Sequence, residues 1–396
     1  VSPGAVSPFY WKTGGTTWAV HTYIIRTAFA EVRVFRSILC SILLLFSLVL
    51  PWQARAQDPA PASVVFLNPG HAAEPFWADY SHYMQDAAGD LGIDLRVIYG
   101  ERDTARILRN AHEVLERGEL PDYLIFVNEM YTAPELLRMF ANSPVKLFSL
   151  HSTLTPEQQQ IVGRSREHYR NWIGSLVPND EQAGYWMAKA LIAKLEGKPG
   201  SLLAFAGVRF TPSSSLREDG LHRALREHPE IKLQQMLQGE WKRQRAYEQA
   251  QLILPRYPEA KLVWSANDEM AFGVMQAAQE IGRQPGKDIY LSALNNSDEV
   301  LQARIDRKLC VLVAGHFTLG GWAMVMLHDY HAGLDFAERG GKDRVDPLFS
   351  LLDAKQAAHL QKRLKVPGFG LDFRQFSAVY RPQLKDYQFS IQPLLQ

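Results

Sequence analysis

The sequence is poor in cysteine. Two cysteines occur in 396 residues, at positions 40 and 310. Cys40 lies in an N-terminal apolar block of the kind that is removed during export, so Cys310 would be the only thiol of the mature chain. A single thiol excludes an internal disulfide and any cysteine-based metal cluster. An exported protein with a large core does not need a disulfide.

A marked excess of charge of either sign is also missing. The chain carries 43 Lys and Arg against 42 Asp and Glu, which gives a formal net charge of +1. No basic stripe stands out, so the electrostatic footprint of a nucleic-acid-binding protein is lacking. We therefore expect no nucleic-acid partner.

The apolar block near the N terminus is too short to span a bilayer. Residues 38–50 are mostly apolar, but 13 residues do not cross a hydrocarbon layer of about 30 Å. Arg33 and Arg36 precede the block, and Ala54-Arg55-Ala56 follows it. This order is typical of a secretory signal peptide cleaved after Ala56. It predicts a periplasmic protein that is not embedded in the membrane after cleavage, and an uncleaved anchor is the alternative.

Residues 1–32 have no place in a signal peptide. The chain begins with Val, so we expect a misassigned start codon and true initiation near Val32 or Val34. Residues 1–56 would then be a misassigned start plus the signal peptide. N-terminal sequencing of the exported protein would test this, and a mature end well before Gln57 would contradict it.

From residue 63 onward, short apolar runs alternate with segments of helical periodicity. A strand over 64–67 and a helix over 76–91 begin the first series, and a second series starts with a strand over 202–205. The polar segment 151–172 lies between the two. Alternating strands and helices predict an α/β protein with parallel, doubly wound sheets in two lobes. The tail from Leu348 onward has too little periodicity to be placed.

The turn at Asn267 is the most informative feature. An apolar strand ends near Trp264, and Met270 and Val274 begin a helical pattern. Ligands of open parallel sheets bind beyond the carboxyl ends of the strands, where Asn267 lies. Its amide both donates and accepts, which suits a neutral, hydroxyl-rich ligand better than an ion. Capping of the following helix is the alternative role.

Four motifs in this part of the chain resemble the type I periplasmic sugar-binding proteins, the ribose- and galactose-binding family. They are Glu-Pro-Phe-Trp at 74–77, Asp-Glu-Gln-Ala-Gly at 180–184, Ser-Leu-Arg-Glu-Asp-Gly at 215–220 and Ala-Asn-Asp-Glu-Met-Ala at 266–271. The last is the most specific, and the resemblance spans nearly all of residues 63–345.

The resemblance implies two Rossmann-like lobes with parallel sheets, joined by a three-crossover hinge, with the ligand between them. By analogy, the N-terminal lobe takes residues 63–178 and 316–345, and the C-terminal lobe takes residues 179–315 and 346–396. Sugar-responsive repressors share this fold but begin with a helix-turn-helix. Here a signal peptide occupies that place, so a repressor is excluded.

The family's sugar pocket uses aromatic faces that stack on the C–H face of a sugar ring. By resemblance, Phe76 and Trp77 come from one lobe and Trp241 from the other. We expect one of the first two to face the core and the other to face the cleft, with Trp77 favoured as the stacking partner.

Two polar residues match the family's hydroxyl-binding groups. Arg217 would present a rigid fork of donors, with surface pairing to Glu218 or Asp219 as the alternative. Asn267 would contribute its amide to the same ligand.

Three positions depart from the family pattern. Asn295 stands where the family has an aspartate, His151 follows a strand that lacks another aspartate, and His316 lies near the family's glutamine. A structural histidine is the alternative for both His residues. The loss of two acidic acceptors argues against an ordinary pentose or hexose as the ligand.

His328 and His331 lie three residues apart on a predicted helix and could in principle bind a metal. Asp329 is the only nearby carboxylate. We therefore expect a solvated helix face here, with no metal and no cofactor.

Together these observations predict a monomeric periplasmic solute-binding protein that captures a small, sugar-like ligand and delivers it to an ABC importer. The alternative is a periplasmic sensing protein that presents a sugar-like or autoinducer-2-like signal to a membrane sensor kinase or cyclase. An exported glycosidase would need paired carboxylates on the cleft, where the predicted residues are Asn, Arg, His and Trp, so we do not expect an enzyme.

Overall fold

A computed structural model describes residues 61–396 of the chain. The expected signal peptide, its cleavage site and the proposed start codon lie outside the described residues. Within residues 61–396, no helix has the length and the apolar character needed to cross a membrane.

Twelve strands are found in this part of the chain. In chain order they are β1 (Ser63–Asn68), β2 (Asp94–Tyr99), β3 (Tyr123–Phe126), β4 (Lys146–Leu150), β5 (Trp172–Pro178), β6 (Gly200–Ala206), β7 (Ile231–Gln238), β8 (Leu262–Ser265), β9 (Tyr290–Leu294), β10 (Val311–Ala314), β11 (Asp343–Asp346) and β12 (Ser350–Leu352).

Twelve α-helices lie between and after the strands of residues 61–396. They are α1 (Pro75–Leu91), α2 (Thr104–Glu116), α3 (Ala133–Met139), α4 (Pro156–Val162), α5 (Asp180–Ile192), α6 (Pro212–Glu227), α7 (Arg243–Arg256), α8 (Asp268–Glu280), α9 (Asp298–Ile305), α10 (Leu319–His331), α11 (Ala354–Arg363) and α12 (Gln392–Leu395).

The strands form two six-stranded sheets. The first sheet has the order β11-β5-β4-β3-β1-β2, and all of its strands are parallel. The second has the order β12-β10-β9-β8-β6-β7 and is parallel except for β12, which runs antiparallel to β10. We call each sheet with its covering helices a lobe. The predicted α/β class with two doubly wound lobes is confirmed.

The chain passes between the lobes three times. It crosses from β5 to α5, which packs in the second lobe, from β10 back to α10, which packs against α1, and from β11 to β12. The predicted three-crossover hinge is therefore present. The carboxyl ends of the parallel strands carry the loops that face the gap between the lobes.

The strand patterns explain why both faces of the first sheet are covered. Along β1, Val64 and Phe66 belong to one apolar cluster, whereas Val65 and Leu67 belong to another. This alternation follows from the two-residue period of a strand. At the end of α1, Gly92 adopts a φ of 67°, a left-handed conformation that glycine reaches without a side-chain penalty.

The C-terminal tail contacts both lobes. The helix α11 packs against α9 in the second lobe. Farther along, the Phe373 N–H donates to Asp90 of α1 at 2.8 Å, and the Tyr387 hydroxyl donates to Asp329 of α10 at 2.8 Å. The lobe boundaries given above remain a prediction, and the tail is the segment whose contacts divide between the two lobes.

Candidate functional site

A cavity lies between the lobes at the carboxyl ends of the strands. All eight residues selected from the sequence line it, and five further residues complete the wall. The predicted ones are Phe76, Trp77, His151, Arg217, Trp241, Asn267, Asn295 and His316, and the others are Glu74, Arg102, Glu129, Thr211 and Ser213.

The aromatic wall of the first lobe is centred on Phe76. Its ring stacks on His316 with 4.5 Å between centroids and 17° between planes, and His151 lies 5.6 Å away. Trp77 also lines the cavity, but only 2% of it is exposed, and a Cβ added to Gly70 would lie 2.1 Å from its ring. The half-buried Phe76, rather than the Trp77 favoured above, therefore offers the more accessible ring.

Two neutral histidines lie side by side at the floor of the cavity. Burial, assisted by the charges of Arg217 and Arg102, lowers the pKa of His151 to about 3. Burial also lowers the pKa of His316 well below its usual range, again with Arg217 contributing. The Nδ1 atoms of both rings are buried and have no hydrogen-bond partner within residues 61–396. A neutral imidazole has one donor and one acceptor, so each ring can serve a hydroxyl group.

Arg217 is held in a buried ion pair on the wall of the second lobe. Its Nε donates to Asp180 Oδ1 at 2.7 Å, and its Nη1 donates to the Ala266 carbonyl at 2.9 Å. Burial raises the pKa of Asp180, and the charge of Arg217 opposes that rise. The pairing with Glu218 or Asp219 that was left open is not formed, and Nη2 has no partner within residues 61–396.

Trp241 lies beside this arginine. The Arg217 Cζ is 5.6 Å from the centre of the indole ring. A Cβ on Gly207 would come within 2.0 Å of the same ring, so this close approach requires glycine. Trp241 itself has a φ of 64°, which turns the loop after β7 toward the cavity.

Asn267 does cap the following helix. Its Oδ1 accepts from the Met270 N–H at 3.0 Å, and its Nδ2 donates to the Trp241 carbonyl at 3.2 Å. The alternative role weighed from the sequence is therefore present. The side chain still lines the cavity, with both ends of its amide already engaged.

Asn295 is tied to an acid that the sequence analysis left out of the site. Its Nδ2 donates to Asp268 Oδ1 at 2.6 Å, and the Ser297 hydroxyl donates to Asp268 Oδ2 at 2.6 Å. Burial raises the pKa of Asp268 to about 6. Asn295 has a φ of 144°, in a region that non-glycine residues seldom adopt.

A charged cluster on the first lobe was also missed. Arg102 donates from Nε to Glu74 Oε2 at 3.0 Å, from Nη2 to Glu74 Oε1, and from Nη1 to Glu129 Oε1 at 2.9 Å. Arg102 and Glu129 each follow a parallel strand by three residues, β2 and β3 respectively. The rule that selected Asn267 could therefore have selected them.

Among residues 61–396, the lobes also touch each other through side chains that do not line the cavity. The Asn296 amide in the second lobe donates to Asp79 Oδ2 of α1 at 2.8 Å, and the rings of Tyr131 and Phe210 meet edge to face at 6.2 Å. Burial raises the pKa of Asp79 to about 6.

The histidines of α10 are not on a solvated face, contrary to expectation. His328 is buried, and its Nδ1 lies 3.1 Å from Asp329, because the C-terminal tail covers this side of the helix. His331 Nδ1 lies 3.3 Å from the Tyr123 hydroxyl. Within residues 61–396, no three His, Cys, Asp or Glu side chains are grouped so that they could hold a metal.

Two lobes that enclose a polar and aromatic cavity define a two-lobed ligand-binding protein. The sequence profile of a family described as periplasmic binding protein domain matches residues 172–334. The solved structure of a periplasmic sugar-binding protein from Pseudomonas fluorescens is 50% identical, covers 85% of this chain and all of its own, and superposes with a TM-score of 0.78.

More distant relatives agree. The ribose import binding protein of Escherichia coli is 24% identical over 66% of this chain and 80% of its own length. The galactofuranose-binding protein of the same organism is 22% identical over 62% of this chain and 75% of its own. The chain belongs to the type I periplasmic sugar-binding proteins, a family of binding proteins whose members act in the periplasm.

Proposed function

We propose that this protein binds one small, uncharged, polyhydroxylated ligand between its lobes. The main support for this proposal is the cavity, which is lined by aromatic rings and polar side chains from both lobes. Phe76 and Trp241 offer faces for a sugar ring. The polar groups beside them offer donors and acceptors for its hydroxyls, whose loss of pairing would cost affinity.

Charge pairing argues against an anionic ligand. Arg102 is paired with two carboxylates of its own lobe, Glu74 and Glu129, and Arg217 is paired with Asp180. His151 is kept neutral by burial. A ligand anion would have to replace one of these pairs or remain unpaired in a poorly hydrated cavity, which is costly.

We further propose that binding is accompanied by hinge closure. Two lobes joined by a hinge can close around a ligand, as periplasmic binding proteins in general do. The Asp79–Asn296 and Tyr131–Phe210 contacts would then belong to the closed form. No step in this scheme breaks a covalent bond or requires a cofactor, and one chain suffices for it.

The binding proposal is tested with purified residues 57–396. Native protein is denatured and any released compound is identified by mass spectrometry. A thermal-shift panel of sugars and polyols follows, in which a ligand at 100 times its Kd should raise the Tm by about 4 °C. If no sugar or polyol binds, the proposed ligand class is wrong.

We propose that the bound ligand is delivered to an ABC importer. One relative is named as a ribose import binding protein, and another is named as a D-allose-binding periplasmic protein. Deletion of the gene should slow uptake of the identified ligand in intact cells, and the wild-type gene should restore uptake. Unchanged uptake with a changed transcriptional or cyclic-nucleotide response would instead favour presentation to a membrane sensor.

A further inference from the structure

We infer that Glu129 is a specificity-determining residue, whose carboxylate accepts a hydroxyl of the ligand while Arg102 and Glu74 position it. This inference rests on the proposed function, because it concerns the same cavity. The contact between Glu129 and a ligand hydroxyl would decide which neutral sugars are bound.

Glu129 lies three residues after β3 and lines the cavity, and 8% of the residue is exposed. Its Oε1 accepts from Arg102 Nη1 at 2.9 Å. Its Oε2 has no hydrogen-bond partner among residues 61–396. This oxygen remains accessible from the cavity, so a donor of the ligand can reach it there.

Arg102 fixes the direction of this oxygen. The two remaining guanidinium nitrogens that donate, Nε and Nη2, both bind Glu74. The backbone is also held, since the Arg102 N–H donates to the Pro69 carbonyl at 2.9 Å. A planar fork held at one edge by Glu74 presents its other edge to Glu129 in one orientation.

Glu129 differs from the other carboxylates at the cavity. Both oxygens of Glu74 bind Arg102. Asp180 pairs with Arg217, and Asp268 accepts from Asn295 and from Ser297. Of these four carboxylates, Glu129 is the one that lines the cavity with an oxygen left over for a ligand.

The histidines indicate what kind of donor Glu129 meets. His151 and His316 are more than nine-tenths buried, line the same cavity, and leave their Nδ1 atoms without partners in the described chain. Burial, together with the charges of Arg217 and Arg102, disfavours a positive charge on the His151 ring. A hydroxyl both donates and accepts, so it can donate to Glu129 and also pair with a neutral imidazole, and it fits both features.

Calorimetric titration of Glu129→Gln tests this inference. Glutamine keeps the length of the side chain and an oxygen for Arg102 but loses the charge. The probes are D-ribose, D-allose and D-galactose, with 2-deoxy-D-ribose and D-fucose as deoxy analogues. We expect the tightest sugar to bind the variant about ten- to one-hundred-fold more weakly.

Selectivity separates a ligand contact from a structural role. The wild-type protein should prefer the sugar over the analogue that lacks the contacted hydroxyl, and Glu129→Gln should lose this preference, as a double-mutant cycle requires. Equal weakening for every sugar and analogue would overturn the inference. Binding of no sugar and no polyol of the thermal-shift panel by the wild-type protein would instead overturn the proposed function.

Two further variants complete the design. Glu299→Gln is the matched control, because Glu299 also pairs with an arginine, Arg243, but does not line the cavity; its affinities should equal those of the wild type. If Glu129→Gln does not fold, Glu129→Asp keeps the charge and withdraws the carboxylate by one methylene. It should also lose the preference, and an unchanged preference would contradict the inference.

Discussion

The two walls of the cavity are built in different ways. On the wall of the second lobe, Arg217, Asn267 and Asn295 each donate to a group of that same lobe. On the wall of the first lobe, Glu129 and His151 keep polar atoms without partners in the described chain. These three side chains of the second wall are therefore held in place before a ligand arrives, with Arg217 Nη2 left without a partner in residues 61–396. In the first wall, Glu129 and His151 retain unused hydrogen-bonding capacity.

This difference separates stability from selectivity. Removing a side chain of the second wall leaves another buried polar group of the protein without its partner, which costs unfolding free energy. Removing the free acceptor of the first wall takes away a contact that only a ligand would make. The variants below test whether the two walls divide these roles.

The largest expected effect is at Arg217. Arg217→Met keeps the apolar volume but leaves Asp180 buried and without its cation, so we expect a loss of about 3–5 kcal/mol in the free energy of unfolding. Urea denaturation measures this loss.

The matched control is Arg243→Met. Arg243 pairs with Glu269 and Glu299 at the surface, where such pairs contribute about 0–1 kcal/mol. If Arg217→Met loses no more unfolding free energy than Arg243→Met, buried pairing does not stabilise the second wall.

A smaller effect is expected at Asp79, which links the two lobes through Asn296. Burial raises the pKa of Asp79 from 3.8 to about 6, while Asn296 and the charge of His82 oppose the rise. The folded state therefore binds this proton more tightly than the unfolded state, and the contribution of Asp79 to stability falls as the pH rises through this window.

Asp79→Asn removes this titration and retains an acceptor for Asn296. Relative to the wild type, the variant should gain about 2 kcal/mol of unfolding free energy between pH 4 and pH 7. Urea denaturation at both pH values measures the difference. The control is Asp94→Asn, which changes an exposed carboxylate at the start of β2. Its difference in unfolding free energy from the wild type should be nearly the same at pH 4 and pH 7. If the difference for Asp79→Asn is also the same at both pH values, the prediction is wrong.

The fold could be predicted from the sequence because its periodic signals are local. The helix predicted over 76–91 is found as Pro75–Leu91, and the strand predicted over 202–205 lies within Gly200–Ala206. The resemblance supplied the three crossovers. The tail could not be placed, because Phe373 and Tyr387 dock on α1 and α10 through contacts with residues far away in sequence.

The site was predicted less completely, for a physical reason. The family motifs selected residues that line the cavity, but they gave no information on how charged groups pair. Arg102 and Glu129 lie outside all four motifs, although both follow the ends of parallel strands. The burial of His328 depends on the tail, so the residues around it could not reveal that this face of α10 is covered.

The smallest expected effect on stability is at Asn267. Loss of its helix cap in Asn267→Ala should reduce the free energy of unfolding by about 1 kcal/mol. If its amide also contacts the ligand, as predicted, binding should weaken by a further 1–3 kcal/mol, about 5- to 150-fold. Asp103→Ala is the matched control, since Asp103 caps α2 by accepting from the Arg106 N–H at 2.9 Å, outside the cavity. If Asn267→Ala and Asp103→Ala lose the same stability and both keep the wild-type affinity, Asn267 acts only as a helix cap. The wall of the second lobe would then contact the ligand through Arg217 and Trp241.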